Sequence, residues 1–536
     1  MKRIALILIF LAAAPRMAAQ TDSVQTQKVT VTRSYEPTVR DADKINANPE
    51  TGQDASFGKK KVDYRLRELE AVSTFQAEKG KLTRPSVSLS GATEVPGYAY
   101  LAVGYPLQMN AGGGYVHQTD NGWKISGEAD YDYKAATRTQ GYAFGHDHRL
   151  GLHALAEKDA DLWRTRYGLD YGLTASARRD TLNPLTSVAD PFAYHQLHPY
   201  FKGDFHRTVF RDLNAAYTLT AGRGLAEHDW KLLWNNVFPI GSFKIQTGWD
   251  LSGLAGRTDS LSYNNFQAGL MPSLRLEKER LLFKLGFKLY YQNRTDINDQ
   301  VLFYPDVSVD FRMVEEYLTL FLGYQGGLRQ AGYRDWVVEN PYILPVTDGR
   351  PVSTAYHIAG GFKGAVSSAM SYNLELGVRR QNDYPFMVYH TVTGRAGFVT
   401  VYDRLDDYYF RVLLSYVKPS KFETKIRFLY AQYTPARLHK PYNLADYTLD
   451  WLMRFRIGDF GWESILSYVG PRYDLVGGSE IKNREYIGSQ LRLSYHINKD
   501  MYLYLGGRNL LAKPYTPYTF YPERGLQLTL GAFYSF

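Results

Sequence analysis

The chain has 536 residues, of which 15% are aromatic, with 44 Tyr against 27 Phe, and it contains no Cys. The missing thiols exclude thiolate catalysis, Cys-ligated zinc, iron–sulfur clusters and disulfide frameworks. The formal net charge of +9 is too small a surplus on this length to predict nucleic acid as a partner.

Residues 1–19 have the pattern of an export signal. A positively charged start (MKR) is followed by an apolar run over 4–14 and by a small-residue cleavage site (MAA) before Gln20. Beyond it, no apolar run approaches the ~18 residues that a membrane-spanning helix needs. We therefore expect a cleavable signal peptide at 1–19, followed by a secreted soluble protein or by a β-barrel of an outer membrane.

Residues 20–84 are rich in Thr, Asp, Lys, Glu and Gln, poor in aromatics and without a sustained period. This composition is typical of an extended arm, which would lie in the periplasm or fill the lumen of a barrel. Within the arm, a β-prone stretch precedes the polar sequence SYEPTV. Its central residues are Val29, Thr30, Val31 and Thr32.

The V-T-V-T segment resembles the opening of TonB-dependent receptors. Residues 35–46 (YEPTVRDADKIN) and 97–105 (GYAYLAVGY) resemble a group of Bacteroidetes receptor-like barrels that lack the plug, and the arm is too short for a folded plug domain. The resemblance implies a plugless barrel, and a TonB-type coupling protein that pairs with residues 29–32 by strand addition. Alternatively, residues 29–32 form a structural strand in the lumen or along the rim.

After the arm, many segments alternate strictly between apolar and polar side chains. In 123–134, the residues Trp123, Ile125 and Tyr131 fall on one face, and Lys124 and Glu128 fall on the other. The same period of two recurs over 163–176, 243–252, 421–430 and 451–457. A soluble sandwich also alternates, but its strands are shorter and its domains are separated by breaks. We therefore predict an all-β fold, a transmembrane antiparallel β-barrel over residues 85–536.

Ten short turns, the first of them T-D-N-G at 119–122, alternate with longer connecting segments. This alternation gives about 22 strands, with a range of about 20 to 24. Short turns at one end and long loops at the other are typical of bacterial barrels. The predicted longer segments are 178–196, 292–303, 328–354, 381–407, 433–444, 471–485 and 511–523.

The last predicted strand alternates apolar residues and ends on an aromatic one. This pattern resembles the signal by which the barrel-assembly machinery recognises its clients, and it predicts that machinery as a partner. The residues that carry it are Leu528, Leu530, Tyr534 and Phe536.

The predicted lumen face holds about twice as many basic as acidic groups. Such a lumen would favour anionic solutes if it is open. Alternatively, these side chains form a charge ladder that cross-links the interior or holds the arm. The basic residues are Arg164, Arg166, Lys284, Lys288, Arg379, Arg411, Lys425, Arg427, Arg454, Arg456 and Arg492.

Other chemistry has weak support. His146 and His148 would share one side of a strand, and His195 or His198 could approach them, but two His without a defined third ligand do not predict a metal site. No nucleophile elbow and no Ser/His/Asp grouping can be placed, so we expect neither an enzyme nor a bound cofactor.

Aromatic residues in the predicted loops would form a recognition surface or fold inward to close the mouth. They are Tyr333, Trp336, Tyr342, Tyr384, Phe386 and Tyr389, with His390 beside them.

Two functions follow from the predicted fold. The first is transport of a solute across the outer membrane of a Gram-negative bacterium. The second is a non-transporting scaffold subunit of a larger outer-membrane machine, for instance for barrel assembly or surface export. Both predict outer-membrane lipid as a partner, and the second adds other subunits of the complex.

Overall fold

The computed structural model describes residues 96–139, 142–178, 190–206, 208–222, 224–241, 243–346, 348–392, 395–418, 421–512 and 515–536. The predicted signal peptide, the arm and the V-T-V-T segment lie outside these residues. In the described part of the chain, no helix has both the length and the apolar character needed to cross a membrane.

The described chain forms one closed antiparallel barrel of 22 strands. Consecutive barrel strands pair with each other, and β1 pairs with β25 to close the cylinder. Three shorter strands lie outside the wall: β4 pairs with β5 alone, and β21 and β22 form a hairpin. The elements are β1 Gly97–Tyr105, β2 Gln108–Gln118, β3 Trp123–Lys134, β4 Thr137–Thr139, β5 Tyr142–Ala160, β6 Trp163–Arg178, β7 Asp190–Phe205, β8 Phe210–Gly222, β9 Leu225–Ile240, β10 Phe243–Thr258, β11 Ser262–Lys278, β12 Leu281–Arg294, β13 Ile297–Val314, β14 Leu318–Arg329, α1 Tyr333–Glu339, β15 Val352–Ala365, β16 Met370–Val392, β17 Arg395–Lys418, β18 Phe422–Pro435, β19 Tyr447–Ile457, β20 Phe460–Val469, β21 Arg472–Val476, β22 Ser479–Asn483, β23 Tyr486–His496, β24 Met501–Arg508 and β25 Gln527–Ser535.

Alternation along the strands gives the wall two different faces. On β12, for example, Leu285, Phe287 and Leu289 are exposed on the outward face, whereas Lys284 and Lys288 lie on the lumen face. A closed sheet satisfies its backbone hydrogen bonds internally, so its outward face can be apolar and contact lipid. The predicted transmembrane barrel and its strand number are confirmed.

The two ends of the barrel differ in the length of their connections. At one end, here called the short-turn end, strands follow each other closely, and the ten predicted short turns lie at or within a few residues of these connections. The other end, here called the long-loop end, carries connections such as 330–351, 436–446, 470–485 and 509–526. In bacterial barrels the short turns face the periplasm and the long loops face outward.

Two predicted loop segments were wrong. Over 292–303, β12 continues to Arg294 and β13 starts at Ile297, so that only two residues connect them. Over 381–407, β16 and β17 continue far beyond the other strands and pair as far as Val392 and Arg395. Here the alternation fades because both faces carry polar or aromatic residues, which pack against protein and not against lipid.

Candidate functional site at the long-loop end

Segments from several parts of the barrel meet at the long-loop end in one packed structure, which we call the mouth cap. It consists of α1 with the connection 340–351, the far ends of β16 and β17, the β21–β22 hairpin, and the connection 509–526. They enclose the largest cluster of buried apolar residues in the described chain. Its members are Leu225, Tyr333, Trp336, Val337, Ile343, Met387, Tyr389, Phe398 and Tyr518.

Phe398 lies at the centre of this cluster and is 0% exposed. Its ring centroid is 5.5 Å from that of Tyr518 and 5.6 Å from that of Tyr389, both in edge-on geometry. Tyr342 and Tyr521 stack with their centroids 3.7 Å apart. Buried aromatic rings supply large apolar contact areas and favourable ring geometry. Ring packing between segments from different connections therefore stabilises the closed mouth cap.

Backbone pairing extends the barrel sheet into the cap. Leu344 N donates to the Phe398 carbonyl oxygen at 2.7 Å, and Phe398 N donates to the Tyr342 carbonyl oxygen at 3.0 Å. On the other side, Tyr389 of β16 lies opposite Val476 of β21 in parallel register. The connection after α1 and the β21–β22 hairpin thus lie against opposite strands of the long β16–β17 hairpin.

A buried carboxylate ties α1 to the barrel wall. Glu227 of β9 accepts hydrogen bonds from Tyr333 N at 2.8 Å and Arg334 N at 3.2 Å, the first amides of the helix. It also accepts one from the Tyr263 hydroxyl of β11 at 2.6 Å. Amide groups at a helix start have no partner within the helix and favour negative charge. Glu227 therefore fixes where this short helix begins.

A second buried carboxylate holds the connection 509–526 against the β21–β22 hairpin. Asp474 accepts hydrogen bonds from Thr519 N at 3.0 Å and from the Asn483 side chain, whose Nδ2 also contacts the Thr519 hydroxyl. All three side chains are buried. Removing the carboxylate would leave buried donors without an acceptor, which is costly.

Through Arg524 the same connection also contacts the chain around β3 to β5. Its guanidinium donates to the carbonyl oxygens of Ala135 at 2.8 Å and Gly145 at 2.9 Å, and to the Asp147 carboxylate at 2.9 Å. Arg524 is buried, and these partners belong to the chain around β3 to β5. The cap is therefore attached to the wall both near β5 and near β9.

Glu339 is the last residue of α1. Its backbone carbonyl oxygen accepts a hydrogen bond from the Tyr518 hydroxyl at 2.6 Å. Burial raises the pKa of the Glu339 carboxyl from its ordinary value of 4.5 to about 7, against the opposing effect of nearby Arg329. The closed cap therefore favours the protonated form of this group.

The eleven basic residues predicted for the lumen all lie on the face opposite the exposed apolar side chains. Seven of them contact carboxylates of the same face. The contacts are Arg164–Asp159, Arg166–Glu157 at 2.6 Å, Lys284–Asp306 at 2.7 Å, Arg379–Asp407 at 2.9 Å, Arg411–Glu375 at 3.5 Å, Lys425–Glu423 at 2.7 Å and Arg454–Glu463 at 2.9 Å.

The remaining four basic residues are placed differently. Arg456 donates to the Gly458 carbonyl oxygen at 3.2 Å, Arg492 lies over the Tyr504 ring at 5.2 Å, and Lys288 and Arg427 also have partners. The lumen wall is thus a mixed network of both charges.

The histidines predicted to approach one another are divided between the two faces. His146, His148 and His195 lie on the outward face, and His198 lies on the lumen face beside Thr218, 2.8 Å from its hydroxyl. Among the described residues, no three or more His, Asp or Glu side chains are arranged to hold a metal ion.

Of the predicted loop aromatics, Tyr333, Trp336, Tyr384, Phe386 and Tyr389 are buried, Tyr342 is half-buried, and only the neighbouring His390 is exposed. They fold inward, as one of the two predicted alternatives stated. The sequence did not identify Glu227, Asp474 or Arg524, because nothing local marks a lone carboxylate or guanidinium in a strand or loop. The C-terminal residues Leu528, Leu530, Tyr534 and Phe536 are exposed on the outward face, next to the β1–β25 closure.

No family model matches the sequence, and no curated protein matches it. Solved structures do match the fold. The chain is similar to the FrpB iron transporter from Neisseria meningitidis with a TM-score of 0.65 and 9% identity, covering 84% of this chain and 82% of that one. It is also similar to the copper transporter OprC, with a TM-score of 0.61, 12% identity and coverage of 82% of each chain. It is similar as well to the siderophore receptor PirA from Acinetobacter baumannii, with a TM-score of 0.62 and 10% identity, covering 82% of this chain and 80% of that one. At these identities the similarity shows the fold, a large transmembrane barrel.

Proposed function

We propose that this protein carries a solute across the outer membrane of a Gram-negative bacterium and that the mouth cap is its outer gate. The observation that carries the proposal is the aromatic core in which α1, the β16–β17 hairpin and the connection 509–526 meet. A barrel of this width would leak if it were open, so its mouth needs a closure. The similar structures described as transporters and a siderophore receptor support the transport class.

Besides the aromatic core, three polar ties hold the cap in place. Glu227, Asp474 and Arg524 each tie one segment to a neighbour through charge-assisted hydrogen bonds. Losing one such tie costs about 1.5–3 kcal/mol, which is within the free energy that solute binding supplies. Opening would move the β16–β17 hairpin away from the α1 segment and from the β21–β22 hairpin.

The lumen network favours a polar solute without a marked charge preference. Seven predicted cations already contact carboxylates, so the basic surplus that the sequence indicated is largely neutralised at short range. A solute that passes along this wall would form hydrogen bonds with both cationic and anionic side chains. The lumen wall therefore does not specifically favour an anionic solute.

The N-terminal segment completes the proposal. Residues 1–19 would direct export, residues 20–84 would occupy the lumen from the periplasmic side, and residues 29–32 would offer a strand to a TonB-type coupling protein. The C-terminal strand would be recognised by the barrel-assembly machinery. These roles rest on the sequence pattern and its resemblance to receptor-like barrels.

Planar-bilayer conductance tests transport. The full chain is compared with a deletion of residues 21–84 and with the same deletion carrying Phe398→Ala, which weakens the cap core. We expect little conductance from the full chain and stable openings from the combined variant. Absence of openings in the combined variant, with the barrel shown to be folded by heat-modifiable migration, would contradict transport through the lumen.

A scaffold role is the second candidate. It is favoured by the number of buried polar ties that hold the cap shut around the wall, which suits a barrel that never opens. Purification from the native membrane in mild detergent tests it. A stoichiometric partner that is lost on deletion of residues 21–84, with no conductance in any variant, would support the scaffold and contradict transport.

A further inference from the structure

The outward face near the long-loop end carries four Tyr–His pairs on six neighbouring strands. In each pair a tyrosine hydroxyl contacts His Nδ1 within hydrogen-bonding distance. The pairs are Tyr131–His148 at 2.9 Å, Tyr133–His146 at 2.9 Å, Tyr171–His195 at 2.8 Å and Tyr217–His228 at 2.6 Å. We call these eight residues the Tyr–His band.

The pairs follow the strand topology. Each Tyr lies on a strand that runs toward the long-loop end (β3, β6 or β8), and its His lies on the strand that returns (β5, β7 or β9). Register places them on the face of the exposed apolar residues: His195 lies opposite Leu173, and His228 lies opposite Leu219. His146, His195 and His228 are exposed. Three consecutive hairpins therefore present the same pair to the surroundings of the barrel.

In each pair the tyrosine hydroxyl contacts Nδ1, so that the other ring nitrogen, Nε2, lies outside the pair. When the tyrosine hydroxyl donates to Nδ1, the neutral ring carries its proton on Nε2, the nitrogen farther from the backbone. Each pair then leaves the Nε2 N–H available to donate to a group outside the pair. An aromatic girdle at a membrane interface accounts for the tyrosines, but it does not call for histidines held in one orientation by them.

The charges around the band favour an anionic, acceptor-rich ligand. The described outward positions of β3 and β5–β9 include no Asp or Glu, and Arg257 on β10 lies opposite Ala226, close to His228. Elsewhere near the long-loop end, the outward face does carry carboxylates, at Asp299 and Asp406. The band is thus a sector of donors without competing acids.

We propose that the Tyr–His band binds the phosphate groups of membrane lipid headgroups at the outer surface of the bilayer. Phosphate oxygens accept several N–H bonds at once, and such charge-assisted bonds are stronger than neutral ones. The rings stand at the border of the apolar outward face, where headgroups lie. This site is separate from the mouth cap, and it does not depend on whether the protein transports a solute.

Native mass spectrometry of the full chain tests the proposal. The protein is offered equal amounts of phosphatidylglycerol and an uncharged galactosyl diacylglycerol with the same acyl chains, and the ratio of bound lipids is measured. Replacing His146, His148, His195 and His228 with Phe keeps four rings but removes the imidazole N–H donors. We expect the preference for phosphatidylglycerol to fall about tenfold.

Matched controls keep the test decisive. Phe287→Leu with Phe303→Leu changes a stacked outward pair on β12 and β13 and should leave the lipid ratio unchanged. Because four substitutions can impair folding, His228→Phe alone is measured as well, with an expected loss of about twofold. An unchanged ratio in both folded His variants would overturn the proposal. So would loss of the preference on adding a chelator, because the rings would then act through a metal ion.

Discussion

The closed mouth cap predicts a large effect of Phe398→Ala on the accessibility of its core. Phe398 is 0% exposed and packs between rings from two other segments. Removing such a side chain costs about 3–5 kcal/mol in a core that cannot collapse. If the open cap leaves this site in water, nearly all of that cost acts on the closed state, and the population of the open cap rises roughly 10²- to 10⁴-fold.

The lack of Cys in the chain makes this effect measurable with single thiols. Val337, which is 2% exposed, and its neighbour Val338, which is 76% exposed, are each replaced by Cys. A maleimide should label the Val338→Cys protein at once and the Val337→Cys protein slowly. Adding Phe398→Ala should raise the rate at Val337→Cys by at least about two orders of magnitude and leave Val338→Cys unchanged.

Two results would refute this reasoning. The first is equal labelling of the two thiols in the parent background, which would mean that α1 does not pack against the cap core. The second is an unchanged rate at Val337→Cys when Phe398→Ala is added. Phe303→Ala, which removes a 64% exposed ring from the outward face, is the matched control and should have no effect on either thiol.

Three further predictions concern the polar ties of the cap. Glu227→Gln replaces one of the two oxygens that accept from the first amides of α1 with an amide donor, so labelling at Val337→Cys should rise about 30-fold, equivalent to about 2 kcal/mol. Burial raises the pKa of the Glu339 carboxyl to about 7, so the stability that the closed cap gains from the protonated carboxyl is complete below pH 4.5 and is lost as the pH rises through about 7. Labelling at Val337→Cys, normalised to labelling at Val338→Cys at each pH, should therefore increase over this window. Glu339→Gln should abolish the increase. Asp474→Ala leaves the connection 509–526 without its acceptor, and limited trypsin digestion should then cut after Arg524, which is protected in the parent by burial and three hydrogen bonds.

Much of the barrel could be predicted because its determinants are local. Each membrane-crossing strand alternates apolar and polar residues, as at Trp123, Ile125 and Tyr131, and each short turn interrupts the alternation. The strand number follows from counting such turns. Where β16 and β17 extend beyond the other strands, both faces contact protein, so the period of two disappears and the prediction of a loop there was wrong.

The mouth cap could not be predicted because its contacts are long-range. Glu227 binds amides 106 and 107 residues further along the chain, and Arg524 binds groups near β5 that are more than 370 residues away. The sequence indicated aromatic residues in the loops but left open whether they fold inward. Likewise, His146 and His148 were placed on one side of a strand, but their tyrosine partners depend on the register with β3.

A reversible lock shows whether the mouth cap is the gate of the barrel. Tyr389→Cys and Val476→Cys lie opposite each other between β16 and β21, and they are introduced together into the protein lacking residues 21–84 and carrying Phe398→Ala. Single-channel conductance is then recorded under oxidising and reducing conditions. If the cap is the gate, the channel opens after reduction and is silent after oxidation, whereas identical openings in both states would show that the cap does not gate the barrel.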